Sequence, residues 1–146
     1  MCRENLNIPP VLPTDNEPLS EAKVRMYAPL TLAFVGDAVY SLMVRRLLTQ
    51  DISKPAGKLH KESIQYVNAA FQAEAARAIL PLLSENEQAV FKRGRNGHSA
   101  HSPKNQSSAD YRYATGLEAL FGYLYLCGEN ERASKLFDEI VKLINK

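Results

Sequence analysis

Hydrophobic positions recur at helical spacing along most of the chain. Between residues 30 and 48, apolar side chains follow one another at intervals of three and four, the period of one face of an α-helix. Pro29 precedes this run, and proline fits the first helical turn because its missing N–H is not needed there. The pattern therefore predicts a long helix that begins near Pro29 and ends near Leu48.

The rest of the chain shows the same period. Further helices are predicted from residue 55 or 57 to residue 80, from Ser84 to about Gly94, and over residues 109–126 and 129–144. Ser84 and Glu87 have the spacing of a capping box, and Gly94 is expected to end the helix that follows it. Strand-like alternation between hairpin turns is nearly absent. The chain is therefore predicted to be all-α.

Two segments lack helical patterns. Residues 1–17 are rich in proline and show little periodicity, so we expect a flexible N-terminal tail followed by one folded domain over residues 18–146. Residues 94–108 are rich in Gly, Ser and Asn and are predicted to form an irregular loop. A chain of 146 residues is long enough to bury a core of its own.

Composition narrows the class of protein. The sequence is 45% hydrophobic and 23% charged, as in ordinary globular proteins, which argues against disorder or a fibrous structure. Cys2 and Cys127 form no CxxC pair and are expected to be free thiols in a reducing compartment. The most apolar stretch, residues 28–44, is short for a membrane span and is interrupted by Gly36 and Asp37. We therefore expect a soluble, cytoplasmic protein without membrane contact.

Positive charge is concentrated in one segment. Residues 92–112 contain a single acid, Asp110, and five basic residues: Lys92, Arg93, Arg95, Lys104 and Arg112. A basic stretch of this kind is typical of phosphate-binding surfaces. The alternative is a solvated loop with surplus charge.

Two acids lie in strongly apolar surroundings. Asp37 occurs in LAFVGDAVYSLMV and Glu118 in TGLEALFGYLYL. Burying an unpartnered carboxylate costs several kcal/mol, so such a group is usually paired, metal-bound or protonated. Gly36 and Gly116 lie beside these acids, and a close approach of two helices there would bring both carboxylates to one point. Such a pair suits Mg²⁺ and indicates a metal-assisted hydrolase, whereas carboxylates at helix edges or paired with Arg or Lys remain the alternative.

Several motifs now resemble a known family. LAFVGDAVY at 32–40 is similar to the LEFLGDAVL signature of ribonuclease III enzymes, and TGLEALFGYLYL at 115–126 resembles their second acidic helix. The Mini-ribonuclease III branch, which lacks a separate double-stranded-RNA-binding domain, is the closer likeness. It is supported by KRGRNG at 92–97, PKN at 103–105, YRYATGLEALFGYLYL at 111–126 and KLHKESIQYVNAAFQAEAA at 58–76. The resemblance covers nearly everything from about residue 28 to the C-terminus.

The resemblance implies a fold and a chemistry. It implies a homodimeric helical bundle with residues 18–146 as the catalytic domain, and Asp37 and Glu118 as catalytic carboxylates that bind Mg²⁺, or Mn²⁺ in its place. The reaction implied is hydrolysis of double-stranded RNA to 5′-phosphate and 3′-hydroxyl ends, in maturation of the 23S ribosomal RNA precursor, with a ribosomal protein as helper. Lys92, Arg93, Arg95, Lys104 and Arg112 are then the expected RNA-binding residues.

The sequence departs from the larger enzymes at two positions. Those enzymes have an acid four residues before the Asp and another three residues before the Glu, where this chain has Ala33 and Thr115. Both departures favour an alternative, a catalytically silent ribonuclease III-like protein that binds RNA or the ribosome. Retention of Asp37 and Glu118 opposes it. An unrelated all-α phosphohydrolase acting on nucleotides would explain the two acids but not the basic segment.

Overall fold

The computed structural model describes residues 18–97 and 108–145, which form helices and connecting turns. The α-helices are α1 (Glu21–Arg25), α2 (Pro29–Leu48), α3 (Ala56–Val67), α4 (Ala69–Ile79), α5 (Glu85–Arg95), α6 (Ser108–Leu126) and α7 (Asn130–Ile144). A 3₁₀ turn, Leu80–Leu82, follows α4. No strand occurs in these two ranges, and the all-α prediction is confirmed. The predicted tail over residues 1–17 lies outside the described residues, as does most of the predicted loop.

Helix α6 lies at the centre of the fold. From Ala114 to Leu124 every residue except Glu118 is buried, and α2, α4 and α5 all pack against this helix. A helix with protein on all sides has to be apolar on all faces. This burial explains why the sequence around Glu118 shows no polar stripe.

The backbones of α2 and α6 touch at two glycines. A Cβ atom on Gly36 would overlap the carbonyl group of Glu118, and one on Gly122 would overlap the carbonyl of Leu32. Gly116 instead faces α5, where an added Cβ would lie 2.7 Å from Cε2 of Phe91. The expectation that Gly36 and Gly116 mark one helix crossing is therefore wrong for Gly116. Gly122 is the glycine that faces Gly36 across the crossing.

Two predicted helix boundaries also differ from the structure. The helix expected to reach residue 80 is interrupted at Asn68, whose backbone is extended (φ −75°, ψ 152°) and whose Oδ1 accepts a hydrogen bond from the Phe71 N–H at 2.8 Å. This cap starts α4 as a separate helix. Gly94 does not end α5, because it is buried against α6 and the helix continues to Arg95.

The other boundaries follow the sequence pattern closely. Helix α2 spans Pro29–Leu48 as predicted, and α6 and α7 begin within one residue of the expected positions. The capping box of Ser84 and Glu87 is present. Cys127 has a free thiol. Within residues 18–97 and 108–145, none of the helices combines the length and hydropathy that a membrane crossing requires.

Candidate active site

The crossing of α2 and α6 brings Asp37 and Glu118 together. Asp37 follows Gly36, the residue whose backbone touches the Glu118 carbonyl, so the two side chains leave neighbouring points of the crossing. Their carboxyl groups are hydrogen-bonded to each other. Asp37 is exposed to solvent, whereas Glu118 is partly buried. The predicted juxtaposition of the two acids is present.

The surroundings of Glu118 favour its protonated form. Burial, followed by the nearby charge of Asp37 and the hydrogen bond to it, raises the pKa of Glu118 to about 8. A hydrogen bond from Gln72 acts in the opposite direction and lowers the pKa. A carboxyl group with its pKa raised in this way stays protonated near neutral pH unless a cation compensates its charge.

Gln72 of α4 is a third polar side chain at this point. It is only 4% exposed, one of three buried polar side chains in the described part of the chain. Gln72 was not among the site residues predicted from the sequence. A signal was present, because Gln72 lies at helical spacing from Ala75, Ala76 and Ile79, all of which face the core. A polar residue on such a stripe needs a partner, and here the partner is Glu118.

At the two positions where the larger enzymes have acids, this chain has residues that pack in the core. Ala33 is buried, and the buried Thr115 donates its hydroxyl hydrogen to the Tyr111 carbonyl at 3.0 Å. In the described ranges no set of three or more His, Cys, Asp or Glu residues surrounds a common point. The available ligands are thus two carboxylates, with a neutral amide beside them. This set fits Mg²⁺, which binds one or two protein carboxylates and completes its shell with water and phosphate oxygens.

The predicted RNA-binding residues make separate contacts and lie on more than one helix. Lys92, Arg93 and Arg95 lie in the last turn of α5, and Arg112 lies in α6. The Nη2 of Arg93 donates to the Tyr27 carbonyl at 3.1 Å, and the guanidinium of Arg112 donates to Ser108. Lys104 lies outside the described residues.

A basic cluster surrounds the ring of Tyr113. The guanidinium carbon of Arg95 lies 6.0 Å from the ring centroid, and that of Arg77 lies 4.6 Å from it. Arg77 also contacts Asp110 at 3.3 Å. Arg77 belongs to α4, far from the basic segment in sequence, which is why charge clustering did not reveal it. Tyr113 precedes Glu118 by five residues on α6, about 8 Å along the helix axis.

An apolar face of α2 adjoins the carboxylates. Phe34 is 80% exposed and Leu42 is 56% exposed, and these residues lie two helical turns apart on one side of α2. Beside them is a cavity of about 620 Å³ between α2 and α7. Asp37 lines this cavity together with Phe34, Val39, Met43, Tyr125 and Ala133. Exposed aromatic side chains next to an apolar cavity are typical of a surface that another molecule covers.

Comparisons with known proteins show which family the chain resembles. The sequence matches the ribonuclease III domain model over residues 30–129. Relatives named Mini-ribonuclease 3 include that of Thermoanaerobacter sp. (strain X514), 46% identical over 132 residues that cover 90% of this chain and 93% of the relative. The Mini-ribonuclease 3 of Clostridium tetani is 43% identical over 129 residues, 88% of this chain and 83% of the relative.

A solved structure shares the fold. The crystal structure of a protein from Fusobacterium nucleatum superposes with a TM-score of 0.74 at 31% identity, covering 82% of this chain and 96% of the other. The match to the family model over residues 30–129 identifies a ribonuclease III domain. The chain belongs to the Mini-ribonuclease 3 branch of the ribonuclease III family.

Proposed function

We propose that the protein is an endoribonuclease that hydrolyses double-stranded RNA and leaves 5′-phosphate and 3′-hydroxyl ends. The observation that carries the proposal is the hydrogen-bonded pair of Asp37 and Glu118 at the α2–α6 crossing. Membership of the ribonuclease family supports it.

Mg²⁺, with Mn²⁺ as a substitute, is the cofactor that we propose for Asp37 and Glu118. Bound there, the ion would supply an activated water and compensate the charge that develops on the phosphodiester. Asp37 is exposed and would be accessible to RNA, whereas Glu118 is partly buried beside Gln72. The protein thereby supplies one ligand open to solvent and one fixed in the core.

We propose that the basic surface of α4, α5 and α6 binds the RNA. It comprises the predicted residues Lys92, Arg93, Arg95, Lys104 and Arg112, to which we add Arg77. Cationic side chains bind the phosphates of a duplex without reading sequence, and double-stranded RNA is recognised mainly by its shape and its 2′-hydroxyl groups.

We also propose that the chain forms a homodimer through the apolar face of α2. The exposed Phe34 and the cavity beside it lie on the same surface, so a two-fold axis would place each Phe34 against the cavity of the second copy. Because Asp37 lines this cavity, the interface would lie next to both catalytic pairs. Two sites near one axis suit cleavage of the two strands of a duplex.

The biological substrate that we propose is the precursor of 23S ribosomal RNA, cut in the cytoplasm with a ribosomal protein as helper. The support for this assignment is the membership of the Mini-ribonuclease 3 branch.

The decisive experiment compares cleavage of a synthetic RNA duplex by the wild type, Asp37→Asn and Glu118→Gln with Mg²⁺. We expect the wild type to cut the duplex and to spare single-stranded RNA of the same sequence. Each variant should lose more than about 100-fold in rate, because even an outer partner of a metal ligand typically contributes about 10- to 100-fold. Circular dichroism should show both variants folded.

One alternative function is also supported by a feature of the structure. Ala33 and Thr115 leave the site with half of the acids of the larger enzymes, which favours a catalytically silent RNA-binding or ribosome-associated protein. A wild-type protein that binds the duplex but cuts neither it nor structured ribosomal precursor RNA, with Mg²⁺ or Mn²⁺, would establish this alternative.

A further inference from the structure

Gln72 is a buried amide at the contact between α4 and α6. Its neighbours at helical spacing, Ala75, Ala76 and Ile79, are all apolar and at most 1% exposed. A buried amide is retained at such a position only when its hydrogen-bonding groups are satisfied. Helix α4 packs against α6 here, and the side chain of Gln72 is close enough to the Glu118 carboxyl group to lower its pKa.

The backbone that carries the Gln72 side chain is held in place by hydrogen bonds and by helix packing. Asn68 caps α4 through the Phe71 N–H, and the Gln72 N–H donates to the Asn68 carbonyl at 3.0 Å. The helix then packs along α6, the buried centre of the fold. Gln72 therefore approaches Glu118 from a fixed backbone position, on a different helix from Asp37.

We propose that Gln72 is a positioning residue whose side-chain amide holds the Glu118 carboxylate in the rotamer that faces Asp37. The inference rests on the proposed metal-dependent cleavage. Asp37 cannot hold Glu118 in this way once both groups are ionised, because like charges repel. The amide of Gln72 is a neutral donor, so its attraction persists when both carboxylates are charged, which is the state that binds a cation.

The test replaces Gln72 by Met, which has similar length and no N–H donor. Mn²⁺ binding to the RNA-free protein is measured by electron paramagnetic resonance, and cleavage of a duplex is measured over a range of RNA concentrations. We expect Mn²⁺ affinity and kcat each to fall about 10- to 100-fold, the usual effect of removing an outer partner of a metal ligand. KM for RNA should stay within about twofold, since Gln72 is buried and does not meet the substrate.

A matched control lies on the same helix. Ile79→Val shortens a core side chain of α4 that is 1% exposed, so it loosens the packing without touching Glu118. Its Mn²⁺ affinity and kcat should equal those of the wild type. If Gln72→Met does not fold, Gln72→Asn keeps the amide but withdraws it by one CH₂ group, and the same losses are expected.

Three outcomes would overturn the inference. They are an unchanged Mn²⁺ affinity and kcat in the folded Gln72 variant, an equal loss in Ile79→Val, and a raised KM with an unchanged kcat. A wild-type protein that binds Mn²⁺ but cuts no duplex would contradict the proposed function instead. The Mn²⁺ arm would then still test whether Gln72 positions Glu118.

Discussion

At the scale of single residues, Glu118 shows what it costs to keep a carboxyl group largely buried in the core. It is the one residue between Ala114 and Leu124 that is not fully buried, and its surroundings favour its neutral form. The pKa of Glu118 is about 8, so in the metal-free protein above this pH the group carries a charge that its surroundings disfavour. The cost is explained if a cation completes the site, because metal binding releases the proton and compensates both charges.

This cost leads to a pH-dependent stability in the absence of metal. The pKa of Glu118 rises on folding from its usual value of 4.5 to about 8, so the folded state binds an extra proton between these pH values. The resulting stabilisation is complete below pH 4.5 and is lost as pH rises toward 8, by at most about 5 kcal/mol. Urea unfolding in EDTA at pH 5 and pH 9 should show this loss for the wild type.

The matched variants are Glu118→Gln and Glu139→Gln. Glu118→Gln removes the titrating group and should flatten the difference between pH 5 and pH 9, whereas Glu139→Gln alters a partly exposed acid of α7 and should keep the difference. Equal pH dependence in wild type and Glu118→Gln would show that burial of Glu118 does not destabilise the ionised protein.

Arg77 carries a second prediction at this scale. If its guanidinium, stacked on Tyr113, binds a phosphate, Arg77→Ala should weaken duplex binding. The slope of log affinity against log salt should become shallower by up to about 0.9, the effect of one lost phosphate contact. Fluorescence anisotropy at several salt concentrations with Ca²⁺ in place of Mg²⁺ measures both quantities.

Lys23→Ala is the control for Arg77. Lys23 is an exposed cation of α1, and its helix meets the first turn of α5 through Arg25 and Asn86, at the opposite end from Arg95. Its removal should leave the salt slope unchanged. Equal slopes for wild type and Arg77→Ala would remove Arg77 from the RNA-binding surface.

At the scale of helices, the α2–α6 crossing determines whether the carboxylates meet. Gly36→Ala should separate the two helices, because the new Cβ would overlap the Glu118 carbonyl. We expect a loss of about 1–3 kcal/mol or more in the free energy of unfolding, as for other overpacked cores, together with loss of cleavage. Gly57→Ala on α3, where an added Cβ meets nothing within 4 Å, should be neutral or stabilising by about 1 kcal/mol.

Urea unfolding of Gly36→Ala and Gly57→Ala measures the free energy of unfolding of each variant. The crossing would be less tight than described if Gly36→Ala were as stable and as active as Gly57→Ala.

Helices α5 and α7 are joined by a charge pair in which Glu87 is buried and Arg132 is partly exposed. Both Nε and Nη2 of Arg132 donate to the Glu87 carboxylate at 2.9 Å, and Nη2 also donates to the Leu82 carbonyl at 2.7 Å. Burial alone would raise the pKa of Glu87, but the hydrogen bonds from Arg132 and Ser84 lower it below its usual value. Glu87 is therefore charged in the core, and its charge depends on Arg132.

Arg132→Met should accordingly destabilise the protein by about 1–3 kcal/mol at pH 7, the usual cost of leaving a buried acceptor without its hydrogen-bond partner. Lys142→Met breaks the exposed pair with Glu139 and should cost less than about 1 kcal/mol. Thermal unfolding of both variants tests the difference. Similar small losses in the two would mean that Glu87 finds other partners or takes up a proton.

The helices also show what the sequence can and cannot predict. The bounds of α2, α6 and α7 were predictable because each has a long apolar repeat. The break at Asn68 was not, since the apolar period continues across it and only the extended backbone reveals the cap. In the candidate site, motifs predicted Asp37 and Glu118, but the contact of Gln72 with Glu118 joins positions 46 residues apart and requires the packing of α4 on α6.

At the scale of the whole molecule, the apolar face of α2 predicts the state of assembly. Phe34→Asp places a charge at the centre of the proposed interface and should give monomers in light scattering coupled to size exclusion, where the wild type gives dimers. Ile52→Asp, at a side chain that is 98% exposed and does not line the cavity, should remain dimeric. A monomeric wild type would contradict the proposed dimer.

Because α6 is both the centre of the core and the helix that carries Glu118, folding and activity cannot be altered independently along it. We therefore expect a substitution that changes the packing between residues 114 and 124, where ten of the eleven residues are buried, to shift Glu118 as well. Attempts to give this domain a new preference for substrate should leave that stretch intact. They should instead vary the solvent-facing positions of α4 and α5. A change of charge there is expected to alter which RNA is bound without altering the cleavage of the phosphodiester.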